Sequence, residues 1–264
     1  MAKFIIEPHF RLQEWIAHDK GDKVGAMQSF EAGRKADVSC ACHWTINVAA
    51  SKGHGRMSNE VYSVSPAGIF VQPDSKIKTP EDLAGVPISV GYQSGSHYAT
   101  IQALEQFIPQ DKMNLVYSDG MLFARMDKLL SGEAPAVHLF SGPYYFAEQL
   151  GYRKILDATF MIGMMIHGEP DPEDLRKFYR ALRRAQRDLD LRPELYTHYY
   201  KKEFPQRYHV RMDTRRWGPG ERLVFEPYTR EVYEEARDWI ASHGIFPDGN
   251  LGAGRYEEAM VSVG

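Results

Sequence analysis

The residues with the clearest capacity for chemistry lie in the run VPISVGYQSGSHYATIQALE, at 86–105. The pattern predicts a strand over 88–90, a turn-rich loop, and a helix that begins at Ser94, Gly95 and Ser96. Serine is a good N-cap, a helix N-terminus carries free N–H groups and partial positive charge, and glycine permits close approach to the backbone. Such a site can hold a carboxylate, sulfonate or phosphate. The motif alone fits a plain capped turn equally well.

Length and composition limit the number of domains and the class of protein. With 264 residues the chain can form one large domain or two small ones, and 43% hydrophobic with 25% charged residues is ordinary for a globular protein. The net charge of -3 argues against nucleic-acid binding. No apolar run could span a bilayer, and the N-terminus lacks the apolar segment of a secretory signal. We therefore expect a cytoplasmic protein, or a periplasmic one whose signal has been removed, without membrane insertion.

The hydrophobic patterning alternates between strands and helices, which predicts an α/β protein with mainly parallel sheets. Strands are predicted at 4–6, 37–42, 61–64, 68–71, 88–90, 114–117, 135–140 and 159–167. Helices are predicted at 12–18, 30–35, 45–50, 121–130 and 145–150, and around 232–240. Two further helices are predicted to begin at 79–83 and after Asp171.

Cys40 and Cys42 are two residues apart, and His43 follows them. Their spacing is too short for an unstrained disulfide in a strand, and structural zinc sites favour wider spacing and a second ligand cluster. Buried thiols are the better interpretation. No metal and no cofactor are expected.

Several segments follow one another in the order of a known group. They are FEAGRKADV at 30–38, IKTPEDLAGVPISV at 77–90, Gly95-Ser96, DPEDLRKF at 171–178 and VYEEARDWIASHG at 232–244. This series resembles the type II periplasmic-binding-protein fold of the alkanesulfonate- and taurine-binding (SsuA-like) and thiamine-pyrimidine-synthase-like group. The resemblance covers most of the chain, and the block at 77–96 is its most specific part.

The resemblance implies two α/β lobes joined by two crossover strands, near 69–72 and 161–166, with a ligand in the cleft between them. Lobe one would comprise 1–70 plus 168–264, and lobe two 71–167. The chain departs from the group in two places. Only 20–25 joins the first helix to the segment at 30–38, where a further strand is usual. No cysteine occurs at 160–165, which argues against thiamine-pyrimidine chemistry.

Cleft residues in this fold follow the carboxyl ends of strands. The predicted ligand contacts are Trp44, Thr45, Ser65, Gln93, Ser94, Gly95, Ser96, His97, Ser141, Tyr144 and His167. An aromatic or heteroaromatic acid would suit them, with the anion at 94–96 and Trp44 or Tyr144 stacked on the ring.

Two functions remain open. The first is a solute-binding protein that senses a small organic acid or delivers it to a membrane transporter; the serine-glycine site favours it. The second is a cytoplasmic enzyme of lyase, decarboxylase or dehydratase type on the same fold, as resemblance to menaquinone-pathway dehydratases and dihydroxyphthalate decarboxylases would allow. In that case His43, His97 and Asp119 would be catalytic. Histidines that only orient a ligand are the simpler alternative.

Overall fold

A computed structural model describes residues 6–7, 36–118, 122–246 and 249–264. The predicted helices at 12–18 and 30–35, most of the predicted strand at 4–6, and Asp119 lie outside these ranges. Within them, no helix is long and apolar enough to cross a bilayer.

The strands form two separate sheets. The strands of the first sheet are β1 (Ile6–Glu7), β2 (Val38–Cys42), β3 (Arg56–Ser58), β4 (Tyr62–Ser65), β10 (Phe160–Ile166), β11 (Arg222–Val224) and β12 (Met260–Val261). Their order is β1-β2-β10-β3-β12, and β4 pairs with both β10 and β11. The strand β10 runs antiparallel to β2, with Ile162 opposite Cys42 and Ile166 opposite Val38.

The second sheet has the order β7-β6-β8-β5-β9. Its strands are β5 (Ala67–Val71), β6 (Pro87–Gly91), β7 (Asn114–Ser118), β8 (Ala136–Phe140) and β9 (Arg153–Asp157). The strands β6, β7 and β8 are parallel, and β5 is antiparallel to β8 and β9. The predicted α/β class with two lobes is confirmed, but the prediction of mainly parallel sheets is wrong, because β10 runs antiparallel to β2, β3 and β4, and β5 runs antiparallel to β8 and β9.

The helices flank these sheets. They are α1 (His43–Ser51), α2 (Gly95–Leu104), α3 (Leu122–Ser131), α4 (Ser141–Gln149), α5 (Pro172–Leu191), α6 (Tyr200–Glu203), α7 (Arg230–Ser242) and α8 (Tyr256–Ala259). The start of α5 is fixed by Asp171, whose carboxylate accepts hydrogen bonds from the N–H groups of Glu173 and Asp174. The predicted helix from 79 is only a 3-10 turn, Pro80–Leu83, in which Asp82 accepts from the N–H of Thr79.

Each sheet buries its strands under helices on its faces. The apolar stripe of α5, Leu175, Phe178 and Tyr179, packs against Val38 and Ile166 of the first sheet. In the second sheet all five residues of β8 are buried, because helices cover both faces. This burial fixes the register of the parallel strands, and with it the positions of the loops that follow them.

The chain changes sheets between Ser65 and Ala67 and again between Asp157 and Phe160. The lobe boundaries at 70/71 and 167/168 stay a prediction; each change of sheet falls a few residues earlier. Residues 200–217 belong by sequence to the predicted first lobe, yet they pack on helices of the second sheet. Phe204 contacts Phe123 and Phe146, at ring-centroid distances of 4.9 and 5.6 Å. The chain then returns to the first sheet as β11.

Candidate functional site

The strand order of the second sheet reverses between β6 and β8. The chain leaves β6 through α2 toward β7 on one side, and leaves β8 through α4 toward β9 on the other. A reversal of this kind opens a crevice outside the carboxyl ends of the two strands, where ligands of open α/β sheets bind. Gly91 ends β6 and Phe140 ends β8, so the crevice lies between the starts of α2 and α4.

Two strained residues flank this crevice. Gln93 has φ 47° in the loop between β6 and α2, and Ser141 has φ 55° at the first position of α4. They are the non-glycine residues with left-handed backbone in the ranges that the structure describes. Such strain costs about 1–3 kcal/mol per residue and concentrates at ligand sites. Both residues were predicted ligand contacts, but their backbone conformation was not foreseen.

The serines of the loop form a closed hydrogen-bond network. The Ser94 Oγ donates to the Gly91 carbonyl at 2.8 Å, and the Ser96 Oγ accepts from the Gly91 N–H at 2.9 Å. The two hydroxyls lie 2.8 Å apart. Ser94 holds the N-cap position of α2, as the sequence predicted, but its hydroxyl makes no capping hydrogen bond, because it donates to the Gly91 carbonyl. The network holds the loop against the end of β6, so a ligand that contacts these hydroxyls must share or replace the bond between them.

Gly95 faces an aromatic ring. A Cβ atom built on Gly95 would lie 2.4 Å from Cε2 of Phe160, the first residue of β10 after the change of sheet. The absence of a side chain is therefore required by packing. The Phe160 ring covers this part of the first turn of α2.

A cavity of about 480 Å³ lies beside Phe160, and part of its wall is aromatic. Its lining includes His43, Trp44, Phe160, Trp239 and Glu235. Trp44 is only 2% exposed, and its ring stacks on Tyr98 at 5.5 Å and 20°. The ring contact predicted between Trp44 and a ligand would therefore occur at the edge of a packed aromatic cluster.

Buried hydroxyls adjoin that cluster. The Thr45 Oγ1 donates to the carbonyl of Gln93 at 3.2 Å, which ties α1 to the strained loop. The hydroxyls of Ser65 and Tyr98 are buried without a hydrogen-bond partner among the described residues. Buried polar atoms without protein partners are rare, and they mark places where a ligand or a water can bind.

The two candidate catalytic histidines are buried and uncharged. The His43 Nδ1 is 2.9 Å from the Tyr228 hydroxyl, and burial lowers the pKa of His43 to about 3. The His97 Nδ1 accepts from the N–H of Gln93 at 3.3 Å, and its Nε2 is 3.1 Å from the Tyr117 hydroxyl. Burial lowers the pKa of His97 to about 4. Because both ring nitrogens of His97 have partners, this ring orients the loop between β6 and α2.

The structure does not bring all the predicted residues together. Tyr144 bonds through its hydroxyl to the Lys154 ammonium at 2.7 Å. His167 follows the carboxyl end of β10, and because β10 is antiparallel to β2, it lies at the other end of the first sheet from His43. There its Nε2 is 3.0 Å from the Ser39 hydroxyl. His167 is thus separated from the crevice by the direction of β10.

Arg125 was not among the predicted residues, although it lies at the crevice. The side chain is 0% exposed, and its Nε donates to the carbonyl of His138 on β8 at 3.3 Å. A Cβ atom built on Gly91 would lie 3.0 Å from Arg125 Nη1 and 2.8 Å from Ser94 Oγ. The guanidinium therefore lies between the ends of β6 and β8. The sequence signal is an arginine on the apolar stripe of α3, beside Leu122, Met126 and Leu129.

A second cavity, of about 490 Å³, lies elsewhere. It is bounded by the first sheet, α5 and the segments that lead to and from 200–217, and it reaches Ser141. Glu203 and Glu221 are part of its wall, and burial raises the pKa of Glu221 to about 7. Two carboxyl groups in this wall disfavour an anion in this cavity.

Cys40 and Cys42 are free thiols, and burial raises the pKa of Cys40 to about 12 and that of Cys42 to about 11. Within the described ranges, no group of three or more His, Cys, Asp or Glu residues could hold a metal ion.

No protein-family model matches the sequence, and no curated protein matches it. Solved structures do match the fold. The alkanesulfonate-binding protein SsuA from Xanthomonas axonopodis pv. citri, bound to MOPS, has a TM-score of 0.66 at 18% identity, covering 96% of this chain and 97% of that one. The periplasmic aliphatic sulphonate binding protein SsuA from Escherichia coli has a TM-score of 0.64 at 15% identity, covering 97% and 91%.

An enzyme shares the architecture. A mutant of the desulfurization enzyme DSZB, in complex with biphenyl-2-sulfinic acid, has a TM-score of 0.58 at 13% identity, covering 98% of this chain and 96% of that one. The chain therefore has the two-lobed type II periplasmic-binding-protein fold, and the likeness to the SsuA group expected from its sequence is confirmed at the level of fold.

Proposed function

We propose that this chain is a solute-binding protein that holds a small organic anion at the carboxyl ends of β6 and β8. The observation that carries the proposal is that the strained residues Gln93 and Ser141 occupy the two loops at the topological switch point. Each precedes or opens a helix whose N-terminus favours negative charge. Two such helix starts beside one crevice suit a carboxylate or sulfonate group.

The organic part of the ligand is proposed to be aromatic or heteroaromatic. The cavity of about 480 Å³ supports this, because Trp44, Phe160 and Trp239 supply ring surfaces and Phe160 also contacts Gly95. The Ser65 hydroxyl, which lacks a partner among the described residues and lies on β4 opposite Phe160, offers a hydrogen bond to a polar substituent of the ring.

The structural neighbours support a small organic anion as the ligand. One is an alkanesulfonate-binding protein and another is a periplasmic aliphatic sulphonate binding protein. On this basis we propose delivery of a small organic acid to a membrane transporter, a periplasmic location, and lobes that comprise 1–70 plus 168–264 and 71–167.

The test is titration calorimetry with charged and neutral partners of one shape. Benzenesulfonate is compared with benzenesulfonamide, and benzoate with benzamide, while ethanesulfonate reports on the aliphatic case. We expect the anions to bind and the neutral analogues to bind at least about tenfold more weakly, since a charge-assisted hydrogen bond contributes about 1.5–3 kcal/mol. Wild-type protein that binds none of the anions, or binds the amides equally well, would refute the proposal.

Ser96→Ala is expected to weaken anion binding by about 1–2 kcal/mol, the scale of one hydrogen bond to a charged group. Ser242→Ala is the matched control, because Ser242 is an exposed serine at the end of α7. Equal binding by both variants would show that the serine pair serves only to hold the loop against the end of β6.

The alternative is an enzyme on the same fold, and the likeness to DSZB is the observation that favours it. In that case His43 or His97 would act on the bound acid, with Asp119 as the candidate partner. Chemical analysis of the acid after prolonged incubation with the protein separates the two functions. A solute-binding protein returns the acid unchanged.

A further inference from the structure

Arg125 is a buried cation whose terminal nitrogens lack partners in the part of the chain that the structure describes. Its side chain is 0% exposed, and neither Nη1 nor Nη2 has a hydrogen-bond partner there. The same part of the structure contains no carboxylate within ion-pair distance of it. Arginine carries five N–H donors in a fixed fork, and among the described residues only Nε has a partner, the His138 carbonyl.

Burial lowers the pKa of Arg125 to about 10, so the guanidinium is still charged at neutral pH. A buried charge without a partner is strongly unfavourable. Two nearby polar atoms do not offset the charge of Arg125, because the His138 Nε2 and the Ser89 Oγ are likewise buried without partners in the described ranges. Among the described residues, the His138 carbonyl is thus the only group that accepts a hydrogen bond from this charge.

The position of the guanidinium indicates why a charge is buried here. Its Nη1 and the Ser94 Oγ both occupy the space where a side chain on Gly91 would lie. Ser89 is two residues earlier on β6, so its side chain shares that face of the sheet. The terminal donors of Arg125 therefore border the N-terminal turn of α2, at the switch point between β6 and β8.

We propose that Arg125 binds the oxyanion head group of the ligand through Nη1 and Nη2, between Gly91 and the start of α2. This inference rests on the proposed function and adds the residue that supplies the charge. A carboxylate or sulfonate presents two oxygens to the fork of an arginine, which is the geometry for which arginine is suited. The helix start and the Ser96 hydroxyl, which donates to Ser94 in the ligand-free protein, complete the site on the other side.

Access requires a movement of the loop between β6 and α2, because the guanidinium is fully covered. Gln93, with its left-handed backbone, lies in that loop, and the bond between Ser94 and Ser96 closes it. An entering oxyanion takes the place of the Ser94 Oγ in this contact and accepts the hydrogen bond that the Ser96 hydroxyl donates, because the one proton of Ser94 is donated to the Gly91 carbonyl.

The experiment compares the full-length wild type with Arg125→Met, Arg125→Lys and a charge control, Arg187→Met. Arg187 is an exposed arginine of α5. Calorimetry uses sodium sulfate, ethanesulfonate, benzenesulfonate, benzoate and the two neutral amides. Sulfate separates recognition of the oxyanion alone from recognition of an organic acid. The melting temperature of each ligand-free protein is measured in parallel.

Arg125→Met is expected to lose about 10- to 100-fold in affinity for the anions and to leave the weak binding of the amides unchanged. Arg125→Lys keeps the positive charge but lacks the paired N–H donors of the guanidinium, so its affinity for the anions should fall about tenfold. Arg187→Met should bind within about twofold of wild type. The ligand-free Arg125→Met protein should melt at a higher temperature than wild type, because an unpaired buried charge has been removed.

The possible failures are distinct. Wild type that binds anions while Arg125→Met or Arg125→Lys binds them equally well overturns the role of Arg125 and leaves the proposed function intact. Wild type that binds no anion overturns both. An Arg125→Met protein that melts lower, or does not fold, shows that the guanidinium stabilises the ligand-free protein, and this also overturns the inference.

Discussion

Replacing Gly95 by alanine tests whether the start of α2 is packed or open. The new Cβ would lie 2.4 Å from Cε2 and 2.7 Å from Cζ of Phe160. Favourable carbon–carbon contacts are about 3.5–4.0 Å, so the ring must retreat by about 1 Å. Phe160 has little room, since it is 4% exposed and its ring meets Phe140 edge-on at 5.6 Å. Overpacking of this kind costs about 1–3 kcal/mol.

If the start of α2 were open, Gly95→Ala would instead raise the free energy of unfolding. Gly→Ala in a helix stabilises by about 0.5–1 kcal/mol when nothing opposes the methyl group. The net expectation for Gly95→Ala is a loss of about 0.5–2 kcal/mol. The sign of the change in unfolding free energy therefore distinguishes the two arrangements.

The assay is urea unfolding of wild type, Gly95→Ala, Phe160→Leu and the double variant. Leucine lacks the two ring atoms closest to the new methyl, so Gly95→Ala should cost at least about 1 kcal/mol less in the Phe160→Leu background than in the wild-type background. Gly95→Ala that stabilises the wild-type background, with no coupling to position 160, would refute the packing argument. It would then support glycine as the point where a ligand approaches the backbone.

Three further outcomes are expected. Trp44→Ala should destabilise the fold by about 3–5 kcal/mol in urea unfolding, because the side chain is 2% exposed; a loss below about 1 kcal/mol would place the ring in an open cleft. His43 and His97 have folded pKa values lowered to about 3 and about 4, below the ordinary 6.5, so their contribution is present above pH 6.5 and is lost as pH falls toward 4. The slope is up to about 1.4 kcal/mol per pH unit for each, and His43→Gln should reduce it in urea midpoints between pH 4 and 7. Cys40 and Cys42, whose pKa values burial raises, should resist a thiol reagent at pH 8 until the chain is unfolded, and rapid native labelling would contradict this.

Local patterns predicted the segments that depend on few distant contacts. The strand, loop and helix around Ser94 follow from apolar spacing and a serine cap, and the structure has Ser94 as N-cap and Gly95 as the first helical residue. Asp171 likewise predicted the start of α5 through its capping oxygen. For Asp171 the decisive interaction lies within one helical turn, and for Ser94 it lies three residues away, at the Gly91 carbonyl.

Features set by tertiary packing were not predictable in this way. The sequence Ser-Gly-Pro suggested a loop before a helix at 145, but α4 begins at Ser141, since proline is tolerated in a first turn. The strand β9 (Arg153–Asp157) was missed because it is short and only partly buried at the edge of its sheet. The direction of β10, which separates His167 from the crevice, depends on its pairing with β2.

The candidate site was predicted in part, for a similar reason. The serines, Gln93 and Ser141 follow strand ends, where a sequence motif can be recognised. Arg125 occupies a helix position that the apolar stripe assigns to the core, and a charge there gives no indication of what it faces. Only the neighbouring strand ends show that its guanidinium reaches the crevice.

The excursion of residues 200–217 onto the second sheet's helices has a mechanical consequence. Arg207 pairs with Asp127 at 2.8 Å, and the Gln149 Oε1 accepts from the indole N–H of Trp217 at 2.8 Å. In the part of the chain that the structure describes, four passages of the chain thus connect the two halves of the molecule, and the second pair runs before and after this segment. If the two halves open about the two crossover strands, residues 200–217 must either move with the second half or lose their contacts with it. Because Phe204 packs against Phe123 and Phe146, residues 200–217 should move with the second half. The short segments before and after 200–217 would then absorb the rotation.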